Sequence, residues 1–146
     1  MVRLEFSIEI ERSVEDIYEV VGNPENDVVW QDAVVEVHKL TPGPIQTGSR
    51  YRHTLRIFGK RMGVDVEFIE RQPHSGYVLR CRSAPFDFET RVQLHRRGRA
   101  TLLDTIVEGW PTGPARVAAV VLSRHRSAEI ERDLRTLKRL MEAGEL

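Results

Sequence analysis

Between Leu4 and Val107 apolar and polar residues alternate along seven short runs, most of them stopped by glycine or proline. A period of two sends successive side chains to opposite faces of a strand, so each run predicts a strand with one dry and one wet face. In the first run Leu4, Phe6, Ile8 and Ile10 oppose Arg3, Glu5, Ser7, Glu9 and Glu11. Val35 and Val37 mark the second, which Thr41-Pro42-Gly43-Pro44 breaks. Tyr51, His53, Leu55 and Ile57 form the dry face of the third. A hairpin turn expected at Gly59-Lys60 leads to Val64, Val66 and Phe68. Tyr77, Leu79 and Cys81 follow the turn at 73–76, then come Phe86, Phe88, Thr90, Val92 and Leu94. After the turn at 95–99 the last run shows Thr101, Leu103, Thr105 and Val107. Short turns between consecutive strands imply an antiparallel meander, and its dry face must be covered.

The cover is legible as well. Neither proline nor glycine occurs from Ala115 to Ala143, and Ile130, Leu134, Leu137 and Met141 recur at helical spacing. Upstream, Val117, Ala118, Val120, Val121 and Leu122 are apolar nearly all round, which predicts a segment buried on most sides. Two short helices are expected after the first strand. Ser13 and Asp16 have capping-box spacing ahead of Val14, Ile17, Val20 and Val21, and Pro24 suits the first turn of another helix. The expectation is an α+β chain with about seven antiparallel strands and one long C-terminal helix, forming one domain over residues 1–146.

Twenty-two basic residues balance 22 acidic ones. A neutral chain without aromatic residues interleaved among its cations argues against nucleic-acid binding, which needs a positive field. The basic runs at 95–99 and at Arg124-His125-Arg126 read as a solvated turn and helix face, or as contacts for phosphates or lipid headgroups. Cys81 is the single cysteine, so no intramolecular disulfide forms, which fits a reducing compartment. The charged, alternating N-terminus is unlike a signal peptide, and no run approaches the roughly 20 apolar residues of a membrane span. A cytoplasmic protein without stable membrane insertion, monomeric or homodimeric, is expected.

The order of elements and certain segments resemble the polyketide cyclase/dehydrase branch of the START-like (SRPBCC) superfamily. The segments are FSIEIERSVEDIYEVVGNPEN at the start, Trp30, Gly48 before SRYRHTLRIF, VEFIERQPHSGYVLRCRS, Gly98 before Arg99-Ala100-Thr101, and the terminal IERDLRTLKRLMEAG. The resemblance spans nearly the whole chain. It implies a helix-grip fold, a curved sheet wrapped around the long helix, with a cavity for an apolar ligand between them. By alternation the inward residues are Tyr51, His53, Leu55, Val66, Phe68, Tyr77, Leu79, Cys81, Phe86, Phe88, Thr90, Leu103 and Thr105, joined by Val117 and Val121 on the helix. Periodicity alone leaves open whether these residues wall a cavity or fill a core.

His53 and Tyr51 are the candidate catalytic residues. An inward histidine moves protons near neutral pH, and a tyrosine two positions away on the same face orients a substrate oxygen. The alternative is a structural histidine bonded to the backbone, with no second acid or base evident nearby. Cys81 reads as a small core hydrophobe rather than a nucleophile. The histidines at 38, 53, 74, 95 and 125 lack zinc-motif spacing, and no glycine-rich nucleotide fingerprint is present, so no metal or cofactor is expected. The leading functional expectation is binding, or binding and transport, of a hydrophobic small molecule such as a lipid, isoprenoid, quinone or polyketide. The alternative is a polyketide aromatase/cyclase or dehydratase working by acid–base catalysis. A third is a partner-binding module without ligand.

Overall fold

The computed structural model describes residues 1–83 and 87–146. Seven strands form one sheet: β1 (Val2–Ile10), β2 (Val34–Lys39), β3 (Arg50–Ile57), β4 (Lys60–Gln72), β5 (Gly76–Arg82), β6 (Phe88–Arg97) and β7 (Ala100–Gly109). Their spatial order is β1-β7-β6-β5-β4-β3-β2, antiparallel throughout. Helices α1 (Val14–Val21) and α2 (Asp27–Trp30), with a 3₁₀ turn at Pro24–Asn26, carry the chain from one sheet edge to the other. The long helix α3 (Ala115–Glu142) packs along β1. This is the expected α+β helix-grip architecture.

Local chemistry explains the boundaries. Ser13 Oγ accepts the Asp16 backbone N–H at 3.1 Å and caps α1, which buries Val14, Ile17, Tyr18 and Val21. Asn23 caps the 3₁₀ turn through the Glu25 N–H, and Pro24 occupies its first position. The β3–β4 turn is formed by Phe58-Gly59, one residue earlier than expected. Both residues have positive φ, 52° and 75°, the conformation of a two-residue hairpin loop whose twist matches its strands. Register shifts between Val34 and Glu36 and between Phe68 and Glu70 mark bulges, which bend a sheet. The outer face is laced with ion pairs such as Arg52–Asp65 and Arg80–Glu89.

The interior has two ends. At one, the beginnings of β3, β5 and β7 meet the later parts of β4 and β6, beneath α1 and the C-terminal half of α3. Tyr18, Tyr51, Phe68, Ile10, Ile17, Leu103, Leu137 and Met141 are fully buried there. Phe68 meets Tyr51 and Tyr77 edge-on, with ring centroids 6.2 and 5.6 Å apart. At the other end the sheet and the N-terminal half of α3 stand apart around a cavity.

Candidate ligand cavity

Alternation supplies most of the cavity wall. Leu55 and Ile57 end β3, Met62 and Val64 start β4, Leu79 and Cys81 lie late in β5, Phe88 and Thr90 start β6, and Thr105 and Val107 lie late in β7. Leu122, Ser123, Arg126, Ile130 and Asp133 close the space from α3, and Asp27, Trp30 and Gln31 from α2. The cavity volume is about 220 Å³. A void of about 10–15 Å³ already admits a water, so this is a chamber rather than a packing defect.

Polar groups gather where α2 meets the sheet and α3. His53 Nε2 lies 2.9 Å from Asp27 Oδ2, and both side chains are buried. Burial pushes the Asp27 carboxyl above its usual range, and the His53 hydrogen bond and charge partly oppose that shift. When Asp27 is ionised, the imidazole donates its Nε2–H to the carboxylate, which leaves Nδ1 as a proton acceptor. His53 Nδ1, Trp30 Nε1 and Tyr51 Oη are buried with no hydrogen-bond partner among the described residues. The Asp32 backbone N–H donates to Asp133 Oδ1 at 3.1 Å, tying the end of α2 to α3. Burial raises the Asp133 carboxyl to about 6; the Asp32 N–H and Arg126 act against that rise. Arg126 Nη1 stands 3.3 Å from Glu129 Oε2. Burial, aided by the Asp27 charge, pushes the Cys81 thiol up to about 12, so it is a thiol near neutral pH and a poor nucleophile.

Of the inward residues expected from the sequence, His53, Leu55, Val66, Tyr77, Leu79, Cys81, Phe88, Thr90 and Thr105 border the cavity. Tyr51, Phe68 and Leu103 do not; they belong to the packed end, because alternation fixes the face a residue points to and not its place along the strand. Phe86 lies outside the described residues. Val117 and Val121 are a correction: both are exposed, and Ala119, Leu122, Ser123 and Arg126 turn inward instead. A segment apolar on every side carries no phase. Counting back by three or four residues from Met141 through Leu134 and Ile130 reaches Arg126, Ser123 and Ala119, so the stripe itself held the signal.

Asp27 is the acid beside His53 that was not evident in the sequence. It stands 26 residues away on another element, and no local spacing links the two. The one hint was an acid leading an apolar trio, Val28-Val29-Trp30, just after a helix-starting proline. Among the described residues, no three His, Cys, Asp or Glu side chains gather closely enough to hold a metal ion, and no helix is long and apolar enough to cross a membrane.

Known proteins share this architecture. A protein of Thermus thermophilus superposes with a TM-score of 0.78 at 13% identity, covering 99% of this chain and 100% of that one. A START superfamily protein from Mycobacterium smegmatis gives 0.73 at 17% identity over 97% and 94% of the two chains. The di-domain ARO/CYC BexL from the BE-7585A biosynthetic pathway gives 0.78 at 14% identity, over 97% of this chain and 47% of that one. Identities this low speak for the fold alone. No curated protein is similar enough in sequence to count as a relative. Residues 1–142, however, match the family described as polyketide cyclase / dehydrase and lipid transport, and the chain belongs to that family.

Proposed function

We propose that this chain binds an apolar small molecule bearing at least one polar group, such as a lipid, isoprenoid, quinone or polyketide, inside the cavity. The observation that carries this reading is the cavity's divided wall: aliphatic and aromatic side chains over most of the sheet, and Asp27, His53, Trp30 and Asp133 gathered beside α2. Apolar walls with a few placed polar groups are the usual construction of a small-molecule site. Buried polar atoms are normally paired, so the free His53 Nδ1 and Trp30 Nε1 suit a ligand oxygen or hydroxyl. His53, Leu55, Leu79, Phe88, Thr90 and Thr105 are the proposed contacts from the sheet. We read the chain as one cytoplasmic domain, monomeric or homodimeric; the Aha1 dimer from Colwellia psychrerythraea shares the fold at 18% identity. Native mass spectrometry of protein purified gently from its own host tests the binding. A stoichiometric apolar adduct is expected. A clean apo mass, with no uptake from a total lipid extract of the host, would defeat the proposal.

The Asp27–His53 pair favours a second reading in the same chamber, acid–base catalysis on a polyketone. His53 takes a proton at Nδ1 while the Asp27 carboxylate holds Nε2–H and stabilises the imidazolium; the proton then returns to a departing oxygen. Such catalysis is typically worth about 10²–10⁴-fold. Asp27→Asn keeps a hydrogen-bond acceptor and removes the charge. It should lower kcat by roughly that factor with KM nearly unchanged. If Asp27→Asn and His53→Ala both turn over a polyketone at the wild-type rate, this reading is wrong.

A further inference from the structure

The first turns of α3 expose the wrong kind of surface. Val117, Val120 and Val121 are 74%, 51% and 59% exposed. At 100° per residue they share one arc of the helix with Arg124 and His125, opposite the arc of Leu122, Ser123 and Arg126 that walls the cavity. The Phe58 ring at the tip of the β3–β4 hairpin lies 4.4 Å from the His125 ring and is itself mostly exposed, as is Trp110 just before the helix. Exposed helix faces are ordinarily polar, and a contiguous apolar patch with a polar rim marks an interaction site.

The rim identifies the partner. Residues 110–128 contain Arg116 and Arg124 beside the valines and no carboxylate, and the hairpin tip, residues 56–62, carries Lys60 and again no carboxylate. In a chain of zero formal charge, this is a local concentration of one sign. Lys60 at the hairpin tip and Arg116 and Arg124 on the helix are exposed, and among the described residues they form no ion pair. A second copy placed on this face would set like charges against each other. Nucleic acid would meet branched aliphatic side chains at the centre, where a stacking platform would serve it. Hydrocarbon under anionic headgroups satisfies both parts: valines and aromatic rings enter the interface while the cations reach lipid phosphates.

We infer that the first turns of α3, with the β3–β4 hairpin tip, form a docking surface for an anionic lipid bilayer. The contact is peripheral and reversible, since no helix among the described residues can span a membrane. It would bring the helical wall of the cavity against lipid, yet it depends only on the outer face and stands whether or not a ligand is ever found inside.

Co-sedimentation with vesicles of phosphatidylcholine, alone or mixed with phosphatidylglycerol, tests the surface. Association is expected only with the anionic vesicles, weakening as salt is raised. R116Q/R124Q should weaken it about fivefold per charge removed. V117S/V120S/V121S should abolish measurable binding, because each CH₂ withdrawn from hydrocarbon costs about fourfold. The valines are exposed, so that variant should unfold at the wild-type temperature; if it fails to fold, the arginine pair alone decides. Absence of wild-type binding to anionic vesicles at low salt would overturn the inference, as would binding that neither variant changes. Two other results would also overturn it: a concentration-dependent dimer lost in the valine variant, and binding to a single-stranded oligonucleotide that needs the arginines and not the valines.

Discussion

The two ends of the interior come from the same strands and the same alternation, yet one is solid and the other hollow. At the solid end Tyr51 begins β3 and Phe68 lies late in β4; α1 fills the space above them with Ile17 and Tyr18, and α3 adds Leu137 and Met141. At the hollow end Leu55 and Ile57 finish β3 and Val64 begins β4, but α2 is a single turn and brings an aspartate and a tryptophan rather than an aliphatic stripe. The helix differs too, presenting Leu137 and Met141 to the solid end and Leu122, Ser123, Arg126 and Asp133 to the hollow one. One end holds the fold together, and the other gives up packing to keep a chamber with polar groups in it.

If that division is right, the same kind of truncation should cost very different amounts at the two ends. Phe68→Ala removes a fully buried ring between Tyr51 and Tyr77 and should cost about 4 kcal/mol in denaturant unfolding, as buried aromatic truncations do. Leu79→Ala trims a side chain that already borders space, so the cavity term is largely absent and about 1–2 kcal/mol is expected. Equal losses would erase the distinction. Asp27→Ala asks whether the polar groups of the hollow end are structurally coupled. It leaves His53 Nε2 without its partner and should cost about 2 kcal/mol, while Asp27→Asn, which still accepts that hydrogen bond, should cost little. Equal effects from the two variants would mean that the charge rather than the hydrogen bond matters to folding.

The same division explains how much could be read from the sequence. Strands and their inward faces were legible because a period of two is local, and α1 because Ser13 and Asp16 sit three residues apart. The C-terminal half of α3 was legible from Ile130, Leu134, Leu137 and Met141. Depth along a strand was not: Tyr51 and Leu55 alternate in phase, and only the elements placed over them decide that one is plugged and the other faces space. The orientation of Val117 and Val121 was lost where apolar residues surround the helix, and their exposure turns the miss into an observation about the outer surface. Asp27 was invisible as a partner of His53, since its role arises only when α2 folds over the far edge of the sheet.

The hollow end should also lower stability in a pH-dependent way, and Asp133 isolates the effect. In the unfolded chain its carboxyl releases a proton near 3.8, but in the folded protein burial holds that proton until about 6. Between those values the native state binds more protons than the unfolded state, so this group's contribution falls as pH rises and stays at its lowest above about 6. Arg126 and the Asp32 N–H favour its ionised form, while Glu129 and the Asp32 carboxylate disfavour it, and burial outweighs them all. Asp133→Asn puts a side chain there that does not titrate and whose oxygen still accepts the Asp32 N–H. The variant should therefore match wild type near pH 4 and become the more stable protein above pH 6, by about 1 kcal/mol after allowance for a cavity wall that solvent reaches. Thermal unfolding of the two proteins across that range reads the difference directly, and other carboxylates cancel in it. A difference that does not change with pH would show that Asp133 ionises freely in the folded state, and that the polar side of the chamber costs the fold nothing.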